Sequence, residues 1–175
     1  MKESGCYKLS FGIETGNQRV LDSMNKQQNL NDVITAIQLC RESGIESKGF
    51  FMLGYPGESE KEINQTITFA KNLGLDSAFF YLVRAYPGTK LYDQLKNNGY
   101  AEKELLKYKH IYPQINKLRL TKKQTEIKLE LKKTGIFDLS KTLKYNITHD
   151  VTISELSLEK LNKMMTKAYI NFYYN

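Results

Sequence analysis

Residues 44–58 read GIESKGFFMLGYPGE, and this stretch decides the fold. It begins with a glycine that can close a helix in the left-handed conformation. It continues through an aromatic run that favours an extended chain and ends in the turn-forming pair Pro56 and Gly57. Looser copies of the same helix end, glycine and strand surround Gly5 and Gly74. Three such units predict alternating strands and helices, an order that favours a parallel sheet with right-handed crossovers.

The hydrophobic pattern extends this assignment over most of the chain. Strands are predicted at Lys8–Ile13, Ser47–Leu53 and Ser77–Val83, and their apolar composition is typical of strands that are covered on both faces. Helices are predicted at Leu30–Ser43, from Ser59 onward, at Thr89–Asn98, at Leu120–Thr134 and after Ser157. Three apolar helix faces are predicted, formed by Val33, Ile34, Ile37 and Cys40, by Ile63, Thr66, Ile67 and Ala70, and by Leu158, Leu161, Met164, Met165, Ala168 and Phe172. The aromatic residues that close the chain, Tyr169, Phe172, Tyr173 and Tyr174, are interpreted as docking contacts, with base stacking as the alternative.

Composition places the chain among globular proteins. It has 175 residues, 41% hydrophobic and 26% charged, and is too short for a closed eight-stranded barrel of ~250 residues. No apolar run approaches the ~20 residues that span a bilayer, and no secretory signal opens the chain, so we expect a cytoplasmic protein without membrane association. The two cysteines, Cys6 and Cys40, are too few and too far apart in sequence to predict a disulfide framework or a metal site.

The net charge of +7 is unevenly distributed. Residues 1–100 contain 11 basic and 11 acidic side chains, whereas residues 101–175 contain 15 and 8. We therefore divide the chain into a strand and helix domain, 1–100, and a basic, mostly helical tail, 101–175. The excess of lysine in the tail indicates either a solvated helix face or a surface that binds RNA or an acidic protein.

Polar residues follow each predicted strand, where parallel α/β folds bind ligands. The candidate binding residues are Glu14, Thr15, Gly54, Pro56, Glu58, Arg84 and Tyr86. Together they predict a site for a small polar molecule, and no residue is assigned a catalytic role.

A structural interpretation stands beside the binding interpretation at each of these strand ends. Glu14 and Thr15 could hold ribose hydroxyls or an amine, but Thr15 or Asn17 could equally cap the next helix. Glu58 could simply complement a helix dipole. Arg84 could bind a carboxylate or form a surface salt bridge.

These segments resemble the radical S-adenosylmethionine (SAM) superfamily, in particular the branch whose members often carry an N-terminal cobalamin-binding domain. The likeness lies in FGIETG at 11–16 followed by Val20, Leu21 and Lys26, in GFFMLGYPGE at 49–58, and in YPGTKLY at 86–92, and it extends to 153–156 and 168–173. The motifs are specific when they occur together and in this order.

The resemblance implies a fragment of a six-stranded partial (βα) barrel with about three parallel strands, the fourth to sixth. Residues 1–100 would be the C-terminal half of that barrel. It implies SAM as cofactor, with cobalamin possible in the full-length family. Glu14 and Thr15 match the group that meets the ribose or polar end of SAM, residues 54–58 support its adenine, and 83–86 flank the adenine on the other side.

The resemblance also exposes what this sequence lacks. The family binds a [4Fe-4S] cluster through Cys-x3-Cys-x2-Cys after its first strand, and that motif is absent here. We therefore expect a radical SAM protein that is inactive alone or is completed by a separately encoded N-terminal half. Because the chain opens inside a predicted helix end, truncation or a split gene is the expected origin. The alternatives are a non-catalytic module that binds RNA or an acidic protein, and a small α/β protein that binds a phosphate or nucleotide.

Overall fold

Three parallel strands form one sheet in the order of the sequence. The computed structural model describes residues 1–105 and 153–173, and in it the strands are β1, Lys8–Glu14, β2, Glu46–Leu53, and β3, Ser77–Leu82. Both neighbouring pairs run parallel, with Lys8 opposite Glu46 and Phe51 opposite Phe80. The predicted α/β fold with about three neighbouring parallel strands is confirmed.

Helices connect the strands and follow them. They are α1, Gln18–Ser23, α2, Leu30–Glu42, α3, Glu60–Asn72, α4, Lys90–Asn97, α5, Glu102–Leu105, and α6, Leu158–Tyr173. Ser59 caps α3 in a capping box with Glu62, and this pairing satisfies two amides that the first helical turn leaves free. The short helix α1 was expected only through its possible caps, Thr15 or Asn17, and was given no bounds, and the helix predicted at Leu120–Thr134 lies outside the described residues.

The two faces of the sheet have different environments. On β2, the side chains of Ser47, Phe51 and Leu53 are buried under α2 and α3, whereas those of Phe50 and Met52 point to the opposite face and are half-buried. Within the described residues, the helices therefore cover one face only, although the apolar composition predicted cover on both. We call the other one the open face.

The last helix, α6, packs against α3 and β3. Its buried side chains are Leu161, Met164, Met165, Ala168 and Tyr169. Leu158 and Phe172, predicted in this set, are only half-buried, and Tyr169 is buried instead. Ile34, predicted on the buried face of α2, is exposed. Both differences arise because the true neighbours of each helix are distant in sequence.

The chain forms two compact units, one made of Met1–Val83 with Thr152–Asn175 and the other of Arg84–Val151. Helix α6 belongs to the first unit, and the predicted limits at 100 and 101 stay a prediction. Along the stretches 1–105 and 153–173, no helix has the length and apolarity needed to cross a membrane. Because most of the basic tail lies outside these stretches, its binding of RNA or an acidic protein stays a prediction as well.

Candidate functional site

An ion pair lies at the carboxyl end of β1. The ladder between β1 and β2 shifts register between Gly12 and Glu14, and Glu14 adopts a left-handed backbone with a φ of 70°. Its Oε1 lies 2.5 Å from Nζ of Lys26, and the two side chains are 17% and 33% exposed. The pair is therefore partly shielded from water but still open to a ligand.

The backbone around this pair is strained. Asn25 and Gln27, on either side of Lys26, have φ values of 54° and 41°. With Glu14 they are the non-glycine residues of positive φ in the described chain. Such conformations cost of the order of 1–3 kcal/mol each and cluster at functional sites. Gly12 leaves room for the pair, because a Cβ there would lie 2.8 Å from Oε1 of Glu14.

The next residue, Thr15, faces α3. It is fully buried, and its hydroxyl lies 2.8 Å from the hydroxyl of Thr66. Its Oγ1 also accepts a hydrogen bond from the amide of Asn17 at 3.2 Å. Asn17 caps α1 by accepting from the amide of Val20 at 3.1 Å. Of the two capping candidates in the sequence, Asn17 is the cap, and Thr15 fixes the loop to α3.

The loop after β2 is closed by Glu58, whose side chain is 2% exposed. Its Oε2 accepts hydrogen bonds from the amides of Gly54 at 2.7 Å and Tyr55 at 3.1 Å. Its Oε1 is buried and has no hydrogen-bond partner among the residues that the structure describes. Burial raises the pKa of Glu58 to about 7, against the two amides, which lower it. Pro56 is half-buried within the same turn.

Arg19 joins the loop after β2 to the helix after β1. Its Nε and Nη2 bind the carboxylate of Glu62 at 2.6 and 2.8 Å, and Nη2 also donates to the carbonyl of Gly57 at 2.9 Å. These hydrogen bonds, with those from Ser59, lower the pKa of Glu62 to about 2. The hydroxyl of Tyr55 donates to a carbonyl of α1 at 3.2 Å. The two strand ends are thereby held as one preorganised surface.

The remaining candidates, Arg84 and Tyr86, belong to the second compact unit. Arg84 is half-buried, and Tyr86 is exposed. The carbonyl of Tyr86 accepts hydrogen bonds from the amide and hydroxyl of Thr89, so it begins the turn that leads into α4. The structure thus brings five of the seven candidates together in the first unit, and the binding role of all seven stays a prediction.

Sequence reasoning assigned no role to Lys26, although it belongs to the motif that carries the resemblance. The signal available was the motif itself, since no local pattern links a lysine in a loop to a glutamate twelve positions earlier. Arg19 was missed for the same reason, because its partner Glu62 lies 43 positions away.

The residues of this chain do not fit an iron–sulfur cluster. Cluster binding needs several thiolates in a fixed geometry, and Cys6 and Cys40 are the only cysteines in the sequence. Burial raises the pKa of the Cys40 thiol, which disfavours a thiolate there. In 1–105 and 153–173, no group of three His, Cys, Asp or Glu side chains could hold a metal ion. By contrast, Glu14 and Lys26 fit the amino and carboxylate groups of the methionyl end of SAM, because their charges are complementary to both.

Comparisons with known proteins identify the family of this chain. The family model of the radical SAM superfamily matches residues 1–70. An uncharacterized methyltransferase of Pyrococcus horikoshii is 30% identical over 99% of this chain, and the cytidylyl-2-hydroxyethylphosphonate methyltransferase of Streptomyces wedmorensis is 33% identical over 65%. This chain spans only 30% and 23% of those two proteins.

The fold is also found among solved structures. One of them is an archaeal Elp3 of Methanocaldococcus infernus with an N-terminal deletion, and it covers 55% of this chain with a TM-score of 0.51 at 22% identity. The match spans 23% of the Elp3 chain, so it corresponds to part of that protein's fold. The match to the family model and to these relatives, together with the parallel sheet, leads to one assignment: the chain belongs to the radical SAM superfamily.

Proposed function

We propose that this chain forms the SAM-binding side of a radical SAM enzyme of the methyl-transferring kind, and that polypeptide outside these 175 residues binds the [4Fe-4S] cluster. The observation that carries the proposal is the ion pair of Glu14 and Lys26 at the carboxyl end of β1. The methyltransferase relatives support the reaction class. The absence of a cluster motif from the sequence supports the need for further polypeptide.

A zwitterionic ligand can replace an internal ion pair by two intermolecular ones. The carboxylate of Glu14 would accept from the ammonium group of the methionyl end, and the ammonium of Lys26 would donate to its carboxylate. Because the two side chains lie in contact and are only partly exposed, they are held near the positions that the ligand needs. After the exchange each of the four charges has a partner of opposite sign, so the site does not leave a buried charge unpaired.

The preorganised loops orient the rest of the ligand. The turn 54–58 is held by Glu58 from within and by Arg19 from the side of α1. A loop fixed in this way loses little conformational entropy when it binds a ligand. SAM bound beside a reduced cluster supplies the 5′-deoxyadenosyl radical in the family. The residues of this chain bind and orient it, and we expect no radical formation by this chain alone. Cobalamin in the full-length protein stays a prediction.

The test is SAM binding by the 175-residue chain, measured by isothermal titration calorimetry and by thermal shift. We expect SAM to raise the melting temperature, and 5′-methylthioadenosine, which lacks the amino acid end, to bind about 100-fold more weakly, as expected for the loss of two charge-assisted contacts worth ~1.5 kcal/mol each. Lys26→Met removes one of these contacts and should weaken SAM binding about tenfold, whereas Lys71→Met, a matched change on the exposed end of α3, should not. No binding of SAM, or equal binding by Lys26→Met, would reject the proposal.

A second measurement addresses the cluster. Anaerobic reconstitution with iron and sulfide should leave the isolated chain colourless and without SAM cleavage, because it holds too few thiolates. A stable brown chain with the absorption of a [4Fe-4S] cluster would contradict this part of the proposal.

A further inference from the structure

The carboxyl group of Glu58 is buried without an ion-pair partner among the described residues. Its side chain is 2% exposed. Oε2 accepts hydrogen bonds from the amides of Gly54 and Tyr55, whereas Oε1 is buried and has no hydrogen-bond partner in that part of the chain. None of the ion pairs within 1–105 and 153–173 includes Glu58. A carboxylate at this position is therefore short of the compensation that a buried charge needs.

The C-terminal segment fixes the loop that holds this carboxyl group. Gly54 has a φ of 82°, and a Cβ there would lie 3.0 Å from a methyl group of Leu161 and 3.5 Å from Cβ of Ser154. Leu161 and Ser154 are both buried, and neither carries a charge. Because the loop is packed from this side, Glu58 stays out of water, and a charge on it has to be balanced within the site.

The charged residues next to the loop do not supply that balance. Arg19 of α1 binds both carboxylate oxygens of Glu62, so its charge is already paired. Glu62 of α3 has the same sign of charge as an ionised Glu58. Burial is the main cause that raises the pKa of Glu58 to about 7; the amides of Gly54 and Tyr55 and the charge of Arg19 oppose it, and the charge of Glu62 adds to it.

SAM would bring a cation to this site. Its sulfonium sulfur is positively charged, whereas S-adenosylhomocysteine lacks the methyl group and has a neutral thioether at the same position. The ammonium and carboxylate of the amino acid end are common to both molecules, and in the proposed function they pair with Glu14 and Lys26. The sulfonium is therefore the one charge by which the two ligands differ.

We propose that Glu58 is a specificity-determining residue of the SAM site, which releases its proton when SAM binds and so selects the sulfonium cation over the neutral thioether. This inference rests on the proposed function. The proton passes from the carboxyl group to a base in the solvent, and no bond of SAM breaks. The carboxylate that forms acts on the sulfonium through space, across the loop 54–58, because opposite charges attract strongly where water is excluded.

The selection suits a methyl-transferring reaction. A SAM molecule that gives up its methyl group becomes S-adenosylhomocysteine and loses its positive charge. The attraction from Glu58 ends at that step, and the carboxyl group takes back a proton. The same residue therefore favours binding of the substrate without favouring retention of the product.

The test is the affinity of the 175-residue chain for SAM and for S-adenosylhomocysteine, measured by isothermal titration calorimetry at pH 5.5 and pH 7.5. Both values lie below ~7.7, where an α-amino group begins to lose its proton, and the shared amino acid end makes its titration cancel in the ratio of the two affinities. That ratio, SAM over S-adenosylhomocysteine, should rise about fivefold from pH 5.5 to pH 7.5, since opposite charges ~10 Å apart at an effective dielectric constant of ~20 change a binding constant on the order of tenfold. An equal ratio at the two pH values would overturn the inference.

Proton release is a second readout of the same event. At pH 6.5, SAM should release roughly half a proton for each molecule bound, and S-adenosylhomocysteine should release close to none. Titrations in two buffers of different ionisation enthalpy measure this number. Equal release with both ligands would contradict selection by charge.

Two variants assign the effect to a residue. Glu58→Gln keeps an acceptor for the two loop amides and has no proton to release, so its affinity ratio should be the same at both pH values. Glu60→Gln, which changes an exposed carboxylate at the start of α3, is the matched control and should keep the fivefold rise. The same rise in Glu58→Gln would assign the effect to another group and overturn the inference. If Glu58→Gln does not fold, the ratio and the proton release of the unchanged chain decide the question.

The two proposals fail differently. If SAM binds with the same preference over S-adenosylhomocysteine at both pH values, the role of Glu58 is wrong and the proposed function stands. If SAM does not bind at either pH, the proposed function is wrong and this inference is rejected with it.

Discussion

The two outer strands of the sheet, β1 and β3, differ in how the backbone groups on their outer edges are hydrogen-bonded. On β3, Tyr169 and Tyr173 of α6 satisfy the outward amides and carbonyls of Ala78 and Phe80. On β1, the outward backbone groups of three alternate exposed residues, Lys8, Ser10 and Gly12, have one weak thiol contact in the described chain. Among the described residues, side chains satisfy the backbone groups of the β3 edge, whereas the backbone groups of the β1 edge remain available to pair with a strand. This difference indicates the direction in which the sheet can grow.

The comparison explains why tyrosine is used on α6. Burial raises the pKa of Tyr169 to about 12 and raises that of Tyr173 as well, so both hydroxyls keep their protons over the physiological range. A protonated hydroxyl both donates and accepts, which is what an outward strand residue requires. A phenylalanine would fill the same space and leave both backbone groups unpaired.

The largest expected effect comes from removing both hydroxyls. The double variant Tyr169→Phe with Tyr173→Phe should lower the free energy of unfolding by about 2–5 kcal/mol, because buried amides and carbonyls on β3 lose their partners at a cost of ~1–3 kcal/mol each. Urea denaturation measures the change. Of the single variants, Tyr169→Phe should have the larger effect, since Tyr169 is 3% exposed and Tyr173 is 39% exposed.

The same double variant also tests whether the tyrosines prevent association through the edge of β3. Opening β3 should raise the tendency of the isolated chain to associate at micromolar concentration, as analytical ultracentrifugation would report. Phe172→Leu, which leaves both hydroxyls in place, is the control. If the free energy of unfolding of the double variant falls by less than ~0.5 kcal/mol, the tyrosines do not satisfy the backbone groups at the edge of β3.

The next effect concerns Glu58, in the loop after the central strand β2. Its pKa is raised from 4.5 to about 7, so the folded chain holds this proton more tightly than the unfolded chain. Stability from this group is therefore fully present below pH 4.5 and is lost as the pH rises through 7. The loss should be on the order of 3 kcal/mol.

Glu58→Gln isolates this contribution, because it keeps an acceptor for the two loop amides and does not titrate. The free energies of unfolding of the two proteins should diverge between pH 4.5 and 7, with the variant relatively more stable at the higher pH. Parallel curves over that window would show that Glu58 carries its usual pKa. Since Glu62 and Arg19 also act on this carboxyl, the comparison is best made at one ionic strength.

The smallest expected effect lies on the open edge itself. Gly12→Ala would place a Cβ 2.8 Å from Oε1 of Glu14 and 3.2 Å from Nζ of Lys26. Both are ends of flexible side chains, so stability should change by less than ~1 kcal/mol. SAM affinity should fall about threefold to tenfold, because the ion pair moves from its preorganised position. Isothermal titration calorimetry measures the SAM affinity, with Ser77→Ala as control. An unchanged affinity in Gly12→Ala would show that the ion pair does not bind SAM.

Much of the fold could be predicted from the sequence because its signals are local. The repeated helix end, glycine and strand located all three strands within one residue at each end, and Ser59, Thr89 and Ser157 begin their helices as the capping pattern predicts. Tyr169 was interpreted as a docking contact, and it is buried against β3, but its partner could not be predicted, because that partner is the backbone of a strand 89 positions away. That the described helices cover only one face of the sheet was missed for a related reason, since composition alone does not say which elements pack on each face.

The candidate site was predictable in position but not in its internal connections. Polar residues after each strand indicated a ligand edge, and the structure places Glu14, Gly54 and Glu58 there. The pairing of Glu14 with Lys26 depends on the left-handed backbone of Asn25 and Gln27. Neither residue is a glycine, so the sequence pattern does not predict this conformation. The engagement of Thr15 with Thr66 depends on tertiary contact with α3. These are long-range geometries, and motif spacing carries no information about them.

The most direct test of the contrast between the edges is amide hydrogen exchange in the isolated chain, resolved by residue with NMR. We expect the amides of Ala78 and Phe80 to exchange at least ~100-fold more slowly than those of Ser10 and Gly12, because in the part of the chain that the structure describes only the former have hydrogen-bond partners. Comparable exchange rates at the two edges would contradict the claim that one edge of this sheet is closed and the other is open.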